Sequence, residues 1–388
     1  MSVADFATSE LARRRAAGLA RRLRLVDGAQ ETWVTVEGRR TLLLCSNNYL
    51  GLATHPTVRA AASRAATEYG AGAGASRLIS GSMRLHHDLE AQLASFKGTE
   101  AALLFNSGYH ANIGAITALV GAEDALFSDA LNHASIIDGC RLSRARVLVY
   151  PHNDVGALND LLARSSARRR LVVTESIFSM DGDTAPLAEM CEVAERHDAM
   201  VMVDEAHATG AVGPRGAGVV AAMGLQQRVT LQMGTLGKAL GTFGAFVAGR
   251  RAVVDLLINA ARSFIYTTAL PPSVVAAASA ALAIVSSDPL LQQRLADNAS
   301  RISHGLRQLG LRVPKTATHI IPVMIGDATA AMRMSERLLD AGVFVQGIRP
   351  PTVPPDTARL RVTVMSTHTP DDVAFALAAF RRVFAEES

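Results

Sequence analysis

Lysine is almost missing from this chain. Lys97, Lys238 and Lys315 are the only lysines among 39 basic residues; the rest are arginine. Cysteine is as scarce. Cys45, Cys140 and Cys191 stand far apart and form no Cys-x-x-Cys pair, which leaves no disulfide framework and no zinc knuckle. Aromatic residues make up 5% of the chain and tryptophan occurs once. The basic stretches Arg13-Arg14-Arg15 with Arg21-Arg22, and Arg168-Arg169-Arg170, therefore lack the interleaved rings of a nucleic-acid surface. The second run reads as a solvated loop. No apolar stretch approaches the roughly 20 residues of a spanning helix. The opening Met1-Ser2-Val3-Ala4-Asp5-Phe6 lacks the basic-then-apolar plan of a secretory signal. The net charge of +4 is small for 388 residues. The expectation is a soluble, cytoplasmic protein with no nucleic-acid, membrane or metal partner.

Half of the chain is hydrophobic, enough for two or three packed units. Residues 4–25 read as a helix and Glu31 to Leu44 as a hairpin. Short apolar runs then alternate with helical stretches: Ala101–Phe105, Ala125–Ser128, Arg146–Tyr150, Leu171–Glu175, Met200–Asp204, Val229–Met233 and Gly244–Val247. That pattern predicts an α/β fold with a mostly parallel sheet covered by helices on both faces. One long helix from Pro272 to Leu309 leads to a smaller α+β unit with strands near Ile320–Ile325, Val343–Gln346 and Leu360–Thr363. The divisions expected are 1–45 for an N-terminal helix and hairpin, 46–286 for a large domain and 287–388 for a small one.

In such sheets, ligands gather at the carboxyl ends of the strands. The strand at Ala101–Phe105 is followed by Asn106-Ser107-Gly108-Tyr109, a glycine turn that opens a helix and suits a phosphate. Other strand ends lead into His133, into Ser179 and into Asp204-Glu205-Ala206-His207. A carboxylate that ends a buried strand needs a cationic partner, and a protonated pyridine nitrogen is one. Lys238 lies between small residues in Thr235-Leu236-Gly237-Lys238-Ala239. In a chain that otherwise uses arginine, a lysine there suggests a task that needs an amine able to deprotonate, such as forming an imine with an aldehyde. Lys97 and Lys315 read as solvated loop lysines.

These residues taken together resemble the fold-type I pyridoxal-phosphate enzymes, and within them the α-oxoamine synthases, which join an amino acid to an acyl thioester with loss of carbon dioxide. The resemblance runs from Ser46-Asn47-Asn48-Tyr49-Leu50-Gly51-Leu52 to Leu360-Arg361-Val362-Thr363. It sharpens at Ile265-Tyr266-Thr267-Thr268 and at Gly347-Ile348-Arg349-Pro350-Pro351-Thr352, where the chain is most similar to members that condense L-alanine with a pimeloyl thioester. By resemblance, Lys238 would hold the cofactor covalently and move the α-proton. Asp204 would pair with the ring nitrogen. His207 and Ser179 would meet the phenolic oxygen, and His133 would stack on the ring. Gly108, Tyr109 and Thr235 would hold the phosphate. Arg349 with Asn47 would take the substrate carboxylate, and Arg21 and Thr352 would lie toward the acyl arm. Members are homodimers with shared active sites, so Thr267 and Thr268 would reach a partner's phosphate.

Other readings are weaker. Asp204-Glu205-Ala206-His207 spells a helicase box, but the glycine-lysine loop such a motor needs upstream is missing. His86-His87 reads as a surface pair, since adjacent helical residues point apart. Gly70 to Gly81 reads as a close-approach loop near the active site. A sister synthase using glycine or serine stays open, as does a non-catalytic module that merely keeps the fold.

Overall fold

The computed structural model describes residues 3–315 and 318–385. Its centre is a seven-stranded sheet in the order Ala101–Phe105, Ala245–Gly249, Leu231–Thr235, Met200–Asp204, Arg170–Glu175, Ala125–Asp129, Arg146–Tyr150. Only Ala245–Gly249 runs antiparallel to its neighbours; the remaining pairs are parallel. Four of these strands are buried along their whole length, which requires cover on both faces. Alternate residues supply the two cores. Ala102 and Leu104 join Phe246 on one face, while Ala101, Leu103 and Phe105 join Ala245 and Val247 on the other. Gly234 has to be glycine, because a Cβ there would lie 2.5 Å from the Phe246 ring.

Two smaller sheets flank this unit. Ile320–Gly326, Ala358–Thr363 and Gln346–Ile348 pair antiparallel. The expected hairpin forms as Trp33–Val36 and Arg39–Leu43, but it does not stand alone: Val343–Phe344 adds to it as a parallel strand. A single stretch around Val345 thus serves both small sheets. Trp33 Nε1 further donates to Asp372 Oδ1 at 2.7 Å on the C-terminal helix Pro370–Ala385.

Several expectations need correction. The first helix spans Val3–Ala16 and stops well before residue 25, where the chain turns through Gly18 at φ 67°. The long helix is two, Pro272–Ser287 and Leu290–Gln308, bent by 77°; Pro289 cannot continue the first and starts the second. No single described helix is long and apolar enough to cross a membrane. Lys97 is not solvated. It closes the helix Arg84–Lys97, is fully buried, and pairs with the equally buried Glu205 while donating to the Ala217 carbonyl at 2.6 Å. His86 is buried as well: its ring accepts from Met83 N–H and bonds the Leu270 carbonyl at 2.9 Å, whereas His87 faces Ser82. The Arg168–Arg170 run is less free than a solvated loop. Arg169 clamps the buried Asp124 at 2.8 Å, and Arg170 caps the His197 and Ser165 carbonyls.

Candidate active site

The polar strand ends meet in a cavity of about 290 Å³. Asn47, Gly108, Tyr109, His133, Glu175, Asp204, His207, Thr235 and Lys238 all line it. Their convergence follows from the pairing register: Glu175 is level with Asp204, and Asp204 with Met233 on the strand leading to Thr235. Parallel strands therefore deliver their last side chains to one edge of the sheet.

Asp204 Oδ2 accepts from Asn112 Nδ2 at 2.8 Å, and Oδ1 accepts from the Ala206 N–H at 2.8 Å. Glu175 is almost wholly buried, and its Oε1 has no partner among the described residues. Burial, followed by the Asp204 charge, pushes the Glu175 carboxyl well above the usual carboxylate range. Burial lowers the Lys238 amine below the ordinary lysine value. The Asp204 and Glu175 carboxylates oppose that shift, and the Arg361 charge adds to it. A lysine so placed has more of the neutral amine available as a nucleophile or base. His207 is buried, and burial with the charges of Lys238 and Arg361 keeps it neutral. Its Nδ1 lies 2.7 Å from the Tyr49 hydroxyl, which donates to Asn47 Oδ1 at 3.0 Å.

The residues present fit pyridoxal phosphate. In the helix Gly108–Leu119, His110 N–H goes to Ser107 Oγ and Ala111 N–H to the Ser107 carbonyl. For the N–H groups of Gly108 and Tyr109 at the helix start no acceptor stands among the described residues, as an anion site requires. Gly108 lies beside Thr235, whose buried Oγ1 has no partner among the described residues. A carboxylate, an amine of lowered basicity and a phosphate cradle thus surround one space.

Four expected residues, Arg21, Ser179, Arg349 and Thr352, are not in the lining of this cavity. Arg349 does not meet Asn47. Its guanidinium donates to the Ala20 carbonyl at 2.9 Å and contacts Met332 Sδ, in a separate groove of about 1010 Å³ that also holds Arg21 and Thr352. Arg361 reaches Asn47 instead, with Nη1 at 3.4 Å from Oδ1 and Nε donating to the Ser179 carbonyl at 2.5 Å. The reason is strand geometry: Arg359 and Arg361 lie two apart on the fully buried Ala358–Thr363 and share a face. Arg359 has Asp181 as its ion partner, but Arg361 faces no carboxylate among the described residues. Ser179 stands behind the cavity wall, its N–H directed to Glu175 Oε2 and its carbonyl to Arg361. Thr267 and Thr268 accept from Asn106 Nδ2. Glu175 and Arg361 were the residues missed, and the signal for both was a charge on an otherwise apolar strand.

The model for the aminotransferase class I and II family matches residues 39–380. The 8-amino-7-oxononanoate synthase of Geobacter sulfurreducens is 54% identical over 380 residues, covering 97% of both chains. The structure of serine palmitoyltransferase from S. paucimobilis with bound PLP is 35% identical with a TM-score of 0.94, covering 98% of this chain and 97% of that one. The 8-amino-7-oxononanoate synthase of Francisella tularensis is 28% identical with a TM-score of 0.77, covering 89% and 98%.

Proposed function

The chain belongs to the aminotransferase class I and II family, and from that premise we infer that it makes 8-amino-7-oxononanoate from L-alanine and a pimeloyl thioester with loss of carbon dioxide, a step toward biotin. The observation that carries this reading is the cavity in which Lys238, Asp204, His133 and His207 meet, in a chain more than half identical to curated synthases of that name.

Bound in the cavity, pyridoxal phosphate supplies an aldehyde for an amine and a ring that accepts electrons from the α-carbon. Lys238 Nζ, its basicity lowered by burial, takes the proton from the α-carbon of alanine and returns one to the product. Asp204, steadied by its two N–H donors, would hold a proton on the ring nitrogen. Gly108, Tyr109 and Thr235 grip the phosphate. His207, braced by Tyr49, and Ser179 serve the phenolic side. His133, which lines the cavity, would cover the ring and face the thioester carbonyl. Arg361 with Asn47 takes the α-carboxylate in place of Arg349, because Arg361 is a buried guanidinium that faces no carboxylate among the described residues. Arg21, Thr352 and Arg349 line the outer groove, where the long acyl thioester would lie.

Two copies complete the site in this reading. Phe243 and Tyr109 at the cavity, with Tyr266 at 71% and Ile79 at 80% exposure, are large side chains that a second copy would cover. Ile79 tops the loop Gly70–Gly81, in which Ala75 holds Ala269 N–H. Thr267 and Thr268 would reach the partner's phosphate. Three free cysteines accord with a reducing, cytoplasmic setting.

One observation favours a second reading: the high structural similarity to serine palmitoyltransferase fits a sister synthase that takes serine. The loaded protein, given L-alanine, glycine or L-serine with pimeloyl or palmitoyl thioesters, should release carbon dioxide fastest with alanine and the pimeloyl donor. Preference for serine and a palmitoyl donor would move the assignment.

A further inference from the structure

A chain of hydrogen bonds runs along the cavity wall from Asp204 to His133, all of it through residues that line the cavity. Asn112 Nδ2 donates both to Asp204 Oδ2 at 2.8 Å and to Ser135 Oγ at 2.9 Å. Ser135 Oγ lies 2.8 Å from His133 Nδ1, and the Ser135 backbone N–H donates to the same nitrogen at 3.2 Å. Asn112 and Ser135 are both buried, at 0% and 1% exposure.

The direction of every bond is fixed by its ends. The Asp204 carboxylate only accepts, so the Asn112 amide must turn its NH₂ group toward it. The amide's second hydrogen then goes to Ser135 Oγ, which leaves the hydroxyl hydrogen for His133 Nδ1. At the other end a backbone N–H has nothing to offer but a hydrogen. His133 Nδ1 therefore receives two donors and can carry no hydrogen of its own. A neutral imidazole so held bears its proton on Nε2, on the side away from Ser135 and toward the cavity that His133 lines.

We propose that Asn112 and Ser135 are positioning residues that lock His133 as a neutral Nε2–H donor, so that it polarises the thioester carbonyl by a hydrogen bond and does not act as a full acid. A proton added at Nδ1 would meet the Ser135 N–H head-on. One lost from neutral Nε2–H would leave an imidazolate. The relay therefore suits an oxygen that gains charge for a moment and gives it up again. The inference rests on the synthase reading of the cavity.

The test has two independent arms. In the cofactor-free protein with ¹⁵N-labelled histidine, His133 should show an unprotonated Nδ1 and a protonated Nε2 at neutral pH. A protonated Nδ1 overturns the proposal whatever the enzyme's activity. In the loaded enzyme, Ser135→Ala should lower kcat about tenfold, the worth of one oriented hydrogen bond, with the KM for the amino acid within about twofold. Ser135→Thr, which keeps the hydroxyl, should restore most of the rate. An alanine variant with unchanged kcat, or a threonine variant as slow as alanine while melting like the wild type, refutes the relay. Absence of any reaction with alanine in the wild type would instead refute the function on which it rests.

Discussion

Replacing Lys97 by methionine isolates an ion pair whose two partners are both fully buried. The substitution keeps the unbranched stem and removes the ammonium. Glu205 would then keep the Val220 N–H at 3.0 Å but lose its ion partner, and the Ala217 carbonyl would lose its 2.6 Å donor. Breaking a buried pair from one side costs roughly 3–5 kcal/mol, because the remaining charge has no water to turn to. Unfolding entropy of about 2.1 cal/mol/K per residue gives roughly 0.8 kcal/mol/K for the whole chain, so a loss of about 4 kcal/mol lowers the melting midpoint by about 5 °C. Thermal melts followed by far-ultraviolet circular dichroism would measure it. Lys97→Met with Glu205→Met should recover much of the loss, since neither charge is then stranded. The reasoning fails if the single variant melts with the wild type, or if the double variant melts below the single one. Glu205 follows Asp204 directly, so the single variant should also bind the cofactor more weakly.

Lys238→Ala and Lys238→Arg should both lose turnover and the visible absorption band of the loaded protein, because charge without a free amine is not enough. Arg361→Ala should raise the KM for alanine at least tenfold, while Arg349→Ala should change the KM for the acyl donor instead; steady-state kinetics with each substrate varied separates the two. His152 sits between Asp129 at 3.0 Å and Asp183 at 2.8 Å. Burial alone would lower its pKa, but the two carboxylates push it up to about 10 from an ordinary 6.5. Its stabilisation is complete below about pH 6.5 and disappears as the pH rises through about 10, and solvent screening leaves it on the order of 2 kcal/mol. Melting curves from pH 7 to 10 should fall more steeply for the wild type than for His152→Gln.

The strands of the central sheet were legible because each is a short apolar run closed by a turn, as in Ala101–Phe105 before Asn106-Ser107-Gly108. Lys238 was legible through scarcity, since an arginine-rich chain leaves a lysine conspicuous. Lys97 was not, because its partner lies 108 positions away and nothing near Gly98 announces it. The break at Pro289 was written in the sequence but hidden because helix-forming residues run on either side of it. By resemblance the carboxylate is assigned to Arg349, whose forked guanidinium suits that task. Alternation along Ala358–Thr363 offered a further clue: two arginines on one face of an apolar strand must each find an anion, and among the described residues Asp181 serves only Arg359.

The parallel pairing of Val343–Phe344 with Arg39–Leu43 constrains how the chain is made. Leu42 waits for its neighbour Val343 until the ribosome has added 301 further residues, which at roughly 5–20 residues per second takes about 15–60 s. Throughout that interval the nascent hairpin carries an open edge, the kind of surface on which other chains can add a strand. Arg39 and Arg40 lie exposed on that same strand, and their like charges discourage a second nascent hairpin from docking before the proper partner emerges.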